Sequence, residues 1–280
     1  MDQAEQLRKK IKKLYTPKAK TVAVISGKGG VGKSNIVLNF SINLAKRNKR
    51  VLLIDSDIGM ANIDILLGES SSYTMVDILE KKWPIQQALK KGPFGLCYLS
   101  GGTTLSNIVQ LREDSFQHFL KELEKMVATF DEILFDMGAG ISKESMRFLM
   151  AVDEIIVVTT PEPTSIMDAY AAIKLVHQYD SDKTIKLVVN RCQKRTDGHQ
   201  AWERLKMTTK QFLDLDIHLL GYIPEDKHVQ QSVMNQTPIV MQFPTSPVAK
   251  ALEAMTKEYL NVPNDHKGFI QRLKNLFSKG

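Results

Sequence analysis

Val22-Ala23-Val24-Ile25-Ser26 runs as an apolar segment straight into Gly27-Lys28-Gly29-Gly30-Val31-Gly32-Lys33-Ser34-Asn35, a turn with four glycines, two lysines and a hydroxyl. The positions Gly27, Gly32, Lys33 and Ser34 meet every fixed point of G-x-x-x-x-G-K-[ST]. Such a string folds as a buried strand, a tight loop and a helix. Its glycines let backbone N–H groups converge on phosphate oxygens, and the helix adds its positive N-terminal end. Lys33 is placed to reach the β- and γ-phosphates of a nucleotide, and the Ser34 hydroxyl to ligate Mg²⁺. Lys28 is surplus to that pattern, because phosphate binding does not need a lysine near the start of the loop.

The rest of the chain repeats the strand-then-helix rhythm. Apolar, β-branched runs recur at Thr21 to Ile25, Val51 to Ile54, Glu132 to Phe135, Glu154 to Thr159, Ile185 to Val189 and Ile217 to Tyr222. Helical patterns lie between most of them. Continuous apolar strands alternating with helices predict an α/β fold with a mostly parallel central sheet covered by helices on both faces, with ligands bound beyond the carboxyl ends of the strands. Leu66 to Arg112 is less regular, with a short strand expected at Leu96 to Leu99. A length of 280 residues with 43% hydrophobic side chains suffices for one large domain with a buried core.

No apolar run approaches the roughly 18 residues that span a bilayer, and the N-terminus lacks the apolar stretch of a secretory signal. A cytoplasmic location is expected. Cys97 and Cys192 are the only cysteines, too far apart for a disulfide framework or a metal-ligand pattern, and both are expected as buried thiols. They also speak against iron–sulfur chemistry, which needs thiolates in defined loops.

Carboxylates follow two of the strands. Asp55-Ser56-Asp57 puts two at the mouth of the phosphate site, where one can orient an attacking water or cap the helix that follows. Ile133-Leu134-Phe135-Asp136 presents an acid at a strand tip before a glycine turn, as a Walker B aspartate is presented to Mg²⁺. Met137 behind it suits an interface or the core. For a base, Asn190 offers an amide that both donates and accepts, and Tyr222-Ile223-Pro224-Glu225-Asp226 offers a turn over a purine ring. Arg191 either stacks on the base or faces solvent. After another strand, Thr160-Pro161-Glu162-Pro163-Thr164-Ser165 ends the strand and places Thr164 or Ser165 to cap a helix.

The string from Lys28 to Ser34 resembles the deviant Walker A loop of the MinD/ParA family, the dimerising SIMIBI-class ATPases. The resemblance implies ATP and ADP as ligands with Mg²⁺, and an ATP-dependent homodimer in which Lys28 reaches the partner subunit's phosphates. It also implies that Asp57 is the catalytic aspartate, that Asp55 and Asp136 support the metal shell with Ser34, and that residues 160–169 lie at the dimer face. Hydrolysis then proceeds by in-line attack of water, with charge neutralised by Mg²⁺, Lys33 and Lys28.

Both ends of the chain add to this core. Residues 21–262 are expected to form the ATPase domain, 1–20 a basic extension and 263–280 an amphipathic tail. Seven basic and no acidic residues lie between Arg8 and Lys20, and they account for much of the net charge of +7. Leu7, Ile11 and Leu14 fall at helical spacing. Asp2-Gln3-Ala4-Glu5-Gln6-Leu7-Arg8 resembles the N-terminal motif of the family's flagellar branch. That resemblance implies that Asp2, Gln3, Ala4, Leu7 and Arg8 engage the SRP-type GTPase FlhF, and that the switch-complex proteins FliM and FliY are further partners. In the tail, Phe269, Ile270, Leu273, Leu276 and Phe277 fall within an arc of about 120° at 100° per residue, with Arg272, Lys274 and Lys279 outside it. The pattern suits a helix lying on anionic membrane lipid, or one packed on its own domain. The expected function is therefore an ATPase switch at the inner face of the membrane in flagellar placement, with no specific nucleic acid. A division-site regulator and a DNA-segregation ATPase are the alternatives.

Overall fold

A computed structural model of the chain describes residues 19–56, 62–70, 73, 81, 83–100, 113–138, 140, 143–261 and 268–277. Eight strands form one sheet: β1 (Lys20–Ile25), β2 (Val51–Ser56), β3 (Lys90–Lys91), β4 (Cys97–Leu99), β5 (Glu132–Met137), β6 (Glu154–Thr159), β7 (Thr184–Cys192) and β8 (His218–Pro224). Their spatial order is β3-β4-β2-β5-β1-β6-β7-β8. Only the β3–β4 pair runs antiparallel. The sequence places seven of these strands within three residues at either end, and β3 is the one it does not announce, since two lysines carry no strand pattern.

The helices are α1 (Lys33–Ala45), α2 (Asn62–Leu67), α3 (Glu113–Thr129), α4 (Lys143–Ala151), α5 (Pro163–Tyr179), α6 (Arg195–Leu213), α7 (Lys227–Met234), α8 (Ile239–Gln242), α9 (Pro247–Asn261) and α10 (Phe269–Phe277). Alternate strand residues face opposite layers. Val22, Val24, Leu53 and Leu134 pack with Phe40 of α1 and Leu252 of α9. Ala23, Ile25, Ile133 and Phe135 pack with Phe119 of α3, Phe148 of α4 and Ile173 of α5. Burial on both faces is why these strands read as unbroken apolar runs. Cys192 is buried, whereas Cys97 on the short strand β4 is only half-buried, a departure from the expectation for both thiols. Met137 is a core residue.

At the amino ends of the strands lies a buried polar cluster. Glu154 pairs with Lys20 at 2.9 Å and Lys186 at 3.0 Å, and the Tyr259 hydroxyl donates to Glu132 at 2.7 Å. Burial pushes the Glu132 carboxyl up to about 7, against the pull of Tyr259 and Lys20.

The tail helix α10 is docked on its own domain. Phe269 and Leu273 are 2% and 0% exposed, and the Phe269 ring lies 5.7 Å from that of Phe135. Ile270 and Leu276 pack partly buried beside them. The Arg272 guanidinium donates to the Ala151 carbonyl at 2.7 Å and to Asp153 at 2.6 Å. Lys274 pairs with Glu124 of α3. Of the two readings of this apolar stripe, packing on the domain is the one seen in this conformation. The Phe277 side chain and the extension with Asp2, Gln3, Ala4, Leu7 and Arg8 lie outside the described residues.

Candidate functional site

The loop after β1 is shaped by close approaches that only glycine permits. A Cβ on Gly27 would sit 2.2 Å from the Asp168 carbonyl carbon, so α5 is bolted against the loop's first residue. Gly32 has φ +91°, and a Cβ there would meet the Asn190 amide nitrogen at 2.5 Å. Helix α1 opens at Gly32 with no side-chain cap and no acid in its first turn. Its free N–H groups and positive dipole end are thus available to an anion.

Lys33 and Asp136 meet at the centre of this cradle. Their Nζ and Oδ1 atoms are 2.6 Å apart, with side chains 7% and 0% exposed. Asp136 stands beside Asp55 in the β2–β5 register, so both acids emerge at the carboxyl end of the sheet. Asp55 accepts from the Ile63 backbone N–H at 3.2 Å and so anchors the start of α2. The capping role that the sequence left open is filled by Asp55; Asp57 lies outside the described residues. Ser34, Asp55 and Asp136 supply hard oxygen donors, which suit Mg²⁺ held together with phosphate and water. Among the described residues no cluster of three or more His, Cys, Asp or Glu forms a separate metal site.

Lys28 points to the βα junction ahead of α5. Its Nζ donates to Glu162 at 2.7 Å and to the Thr164 hydroxyl at 3.2 Å, and it stays about one-third exposed. Lys28 draws the Glu162 carboxyl below its ordinary range by that hydrogen bond. The junction is rigid: Ser165 Oγ bonds the Thr160 N–H at 3.1 Å and the Thr159 hydroxyl at 2.9 Å. Neither Thr164 nor Ser165 caps the helix as the sequence suggested. Pro163 starts α5 with Glu162 at the cap position, Thr164 serves Lys28, and Ser165 turns back to the strand.

Two adjoining cavities complete the site. One of about 650 Å³ is lined by Asn35, Asn190, Arg191, Pro224, Glu225 and Asp226, among others. The other, of about 450 Å³, is lined by Gly29 to Asn35 and by Asn62, Ile65 and Leu66. Gly32, Asn35, Arg191 and Val233 border both, so the cavity beside the glycine loop is continuous with the one beneath the Pro224 to Asp226 turn. Asn190 donates to the Val31 carbonyl at 2.7 Å, which ties β7 to the loop. An amide has a second N–H and an oxygen besides, the donor and acceptor that the edge of a base could take up. Arg191 is exposed and holds φ +56°, a conformation uncommon for a side-chain-bearing residue. Asp226 caps α7 by accepting from the His228 N–H at 2.9 Å. Val229, Gln230 and Val233 of α7 also line the larger cavity. No motif marks them; their approach depends on how α7 packs over the sheet's end.

Residues 18–260 match the ParA family, described as NUBPL iron-transfer P-loop NTPase. The chain is 31% identical over 258 residues to the antiactivator FleN of Pseudomonas aeruginosa, covering 90% of this chain and 92% of that one. It is 34% identical over 217 residues to the flagellum site-determining protein YlxH of Helicobacter pylori, covering 76% and 72% respectively. Among solved structures, the MinC:MinD cell division protein complex of Aquifex aeolicus aligns with a TM-score of 0.72 at 29% identity, covering 89% of this chain and 98% of that one. With its phosphate cradle and its Lys33–Asp136 pair, the chain belongs to the ParA/MinD family of P-loop ATPases, in the branch that includes FleN and YlxH.

Proposed function

We propose that the chain is an FlhG-type switch: an ATPase that pairs with a second copy on binding ATP, releases its tail to the membrane and regulates flagellar placement. The observation that carries this reading is Lys28, tethered at the edge of the phosphate site to the same junction, residues 160–169, that resembles the family's dimer face. On ATP binding, Lys33 exchanges Asp136 for the β- and γ-phosphates, which frees Asp136 for the Mg²⁺ shell with Ser34 and Asp55. Lys28 leaves Glu162 for the phosphates of the partner subunit, where its charge offsets that developing in the transition state. Asp57 orients the attacking water. Asn190, with Arg191 and the Pro224 to Asp226 turn, holds the adenine.

The tail supplies the output. Phe269, Ile270, Leu273, Leu276 and Phe277 have an apolar face fit for lipid, and two tails on one dimer bind far better than one. No helix among the described residues is long and apolar enough to cross a membrane. In this reading the tail makes a peripheral association at the cytoplasmic face. The basic extension with Asp2, Gln3, Ala4, Leu7 and Arg8 acts on FlhF, and FliM and FliY are further partners.

The test is turnover against protein concentration. Specific activity rises as the wild type dimerises. Lys28→Ala binds nucleotide yet stays slow at every concentration, and Asp57→Ala binds ATP without hydrolysing it. Normal turnover by Asp57→Ala would remove its catalytic role, and normal turnover by Lys28→Ala would remove the shared site.

A further inference from the structure

The groove that holds α10 is defined by two acids and a row of apolar side chains. Phe269, Leu273 and Leu276 enter it at spacing i, i+4, i+7, while Arg272 meets Asp153 and Lys274 meets Glu124. Asp153 is buried, and its other oxygen accepts from the Thr21 N–H at 3.0 Å and the Thr21 hydroxyl at 2.7 Å. The Arg272 guanidinium thus adds a cation to a buried carboxylate that Thr21 already holds.

The same pattern occurs a second time in the chain. Leu7-Arg8-Lys9-Lys10-Ile11-Lys12-Lys13-Leu14-Tyr15 laid on Phe269-Ile270-Gln271-Arg272-Leu273-Lys274-Asn275-Leu276-Phe277 matches Leu7 to Phe269, Ile11 to Leu273, Leu14 to Leu276 and Tyr15 to Phe277. Lys10 then falls on Arg272 and Lys12 on Lys274, the two cations that meet the groove's acids.

The path of the chain agrees. Phe269 packs at Phe135, which is level with Ala23, and Arg272 reaches Asp153, which holds Thr21. Thus α10 descends toward the start of β1. There the Ala19 N–H donates to the Val127 carbonyl of α3 at 2.9 Å, one turn beyond Glu124. A segment ending at Tyr15 in the place of Phe277 has four Cα steps, up to about 14 Å, in which to reach Ala19. A helix running in the direction of α10 therefore ends beside the start of β1, and the four steps allow the turn that enters the strand.

We propose that residues 7–15 are a second occupant of the α10 groove, taking the helix's place when it leaves and setting Lys10 against Asp153 and Lys12 against Glu124. The two chain ends are then mutually exclusive in one site. A tail on the membrane draws Leu7 and Arg8 onto the domain, and a docked tail leaves them to a partner. The undocking of α10 rests on the membrane reading above; the groove's fit to residues 7–15 does not.

The test is hydrogen exchange on the full chain with a synthetic, end-blocked peptide of residues 6–17. At about ten times its Kd the peptide speeds exchange in residues 269–277 roughly tenfold, while α3 and α4 keep their protection. The same peptide with Ile11→Asp has no effect. Unchanged α10 exchange up to about 1 mM, the effective concentration a short tether supplies, overturns the proposal, as does loosening of the whole protein. A second arm uses the full chain carrying Phe269→Asp and Leu273→Asp. Protection then appears in residues 7–15 and is lost when Ile11→Asp is added; unprotected residues 7–15 over an intact α3 and α4 overturn it. Failure of the membrane reading alone leaves the peptide competition intact and abolishes only vesicle binding.

Discussion

Gly27 shows how chemistry and packing share one residue. It begins the phosphate loop, and its missing side chain lets the backbone of Asp168 approach. Gly27→Ala must displace α5 or the loop, so stability falls by about 1–3 kcal/mol in denaturant unfolding, with weakened nucleotide affinity. Lys28 is the opposite case, held by exposed partners that cost little to leave. Glu162→Gln removes the tether's charge and lowers the ATP concentration needed for dimerisation by a factor of up to about 5, the small effect expected of an exposed pair. Light scattering against ATP measures it; unchanged dimerisation assigns the tether no role. The glycines, Lys33 and Asp136 were legible because their roles fix both residue type and spacing. Lys28–Glu162 was not, since a contact between residues so distant in sequence follows from the packing of α5 on the loop. The same limit hid the bonds of Asn190 to Val31 and of Asp55 to Ile63.

At the level of elements, strands buried on two faces were readable as apolar runs, and only their ends moved. The tail's amphipathic face was equally plain, but periodicity specifies a face and not what covers it. The covering residues, Phe135 and Phe148, come from β5 and α4. Leu273→Ala leaves a cavity at a fully buried position and costs about 2–5 kcal/mol of local stability. Faster hydrogen exchange confined to α10 is the expected outcome. The strand bases make a pH prediction. Glu132 has its carboxyl raised from 4.5 to about 7 in the folded chain, so between these values the folded state holds the extra proton. Stability contributed by that proton is present at low pH and is lost as pH rises toward 7, by about 3 kcal/mol at most. Glu132→Gln, which retains a partner for Tyr259 beside Lys20, Lys186 and Glu154, flattens that slope in unfolding experiments across the same range.

For the molecule as a whole, the sheet divides the work between its ends and its faces. The carboxyl ends gather the phosphate loop, Asp136, Asn190 and the Lys28 junction, while one face carries α10. Phe135 links them, preceding Asp136 in β5 and packing on Phe269. On the proposed function, a shift at Asp136 on nucleotide binding has a short path to the tail. The class of fold was legible from the alternation of elements, since strand–loop–helix order leaves few parallel arrangements. Which surface the tail covers was not, because an apolar stripe fixes the buried face of a helix and not the partner it is buried against. The most direct test is co-sedimentation of the full chain with anionic vesicles in ADP, ATP or a non-hydrolysable ATP analogue, with oligomeric state followed alongside and a chain ending at Asn264 as control. The account predicts sedimentation only with ATP or its analogue, together with dimerisation and dependent on the tail; binding that is absent, indifferent to nucleotide or retained without the tail would contradict it.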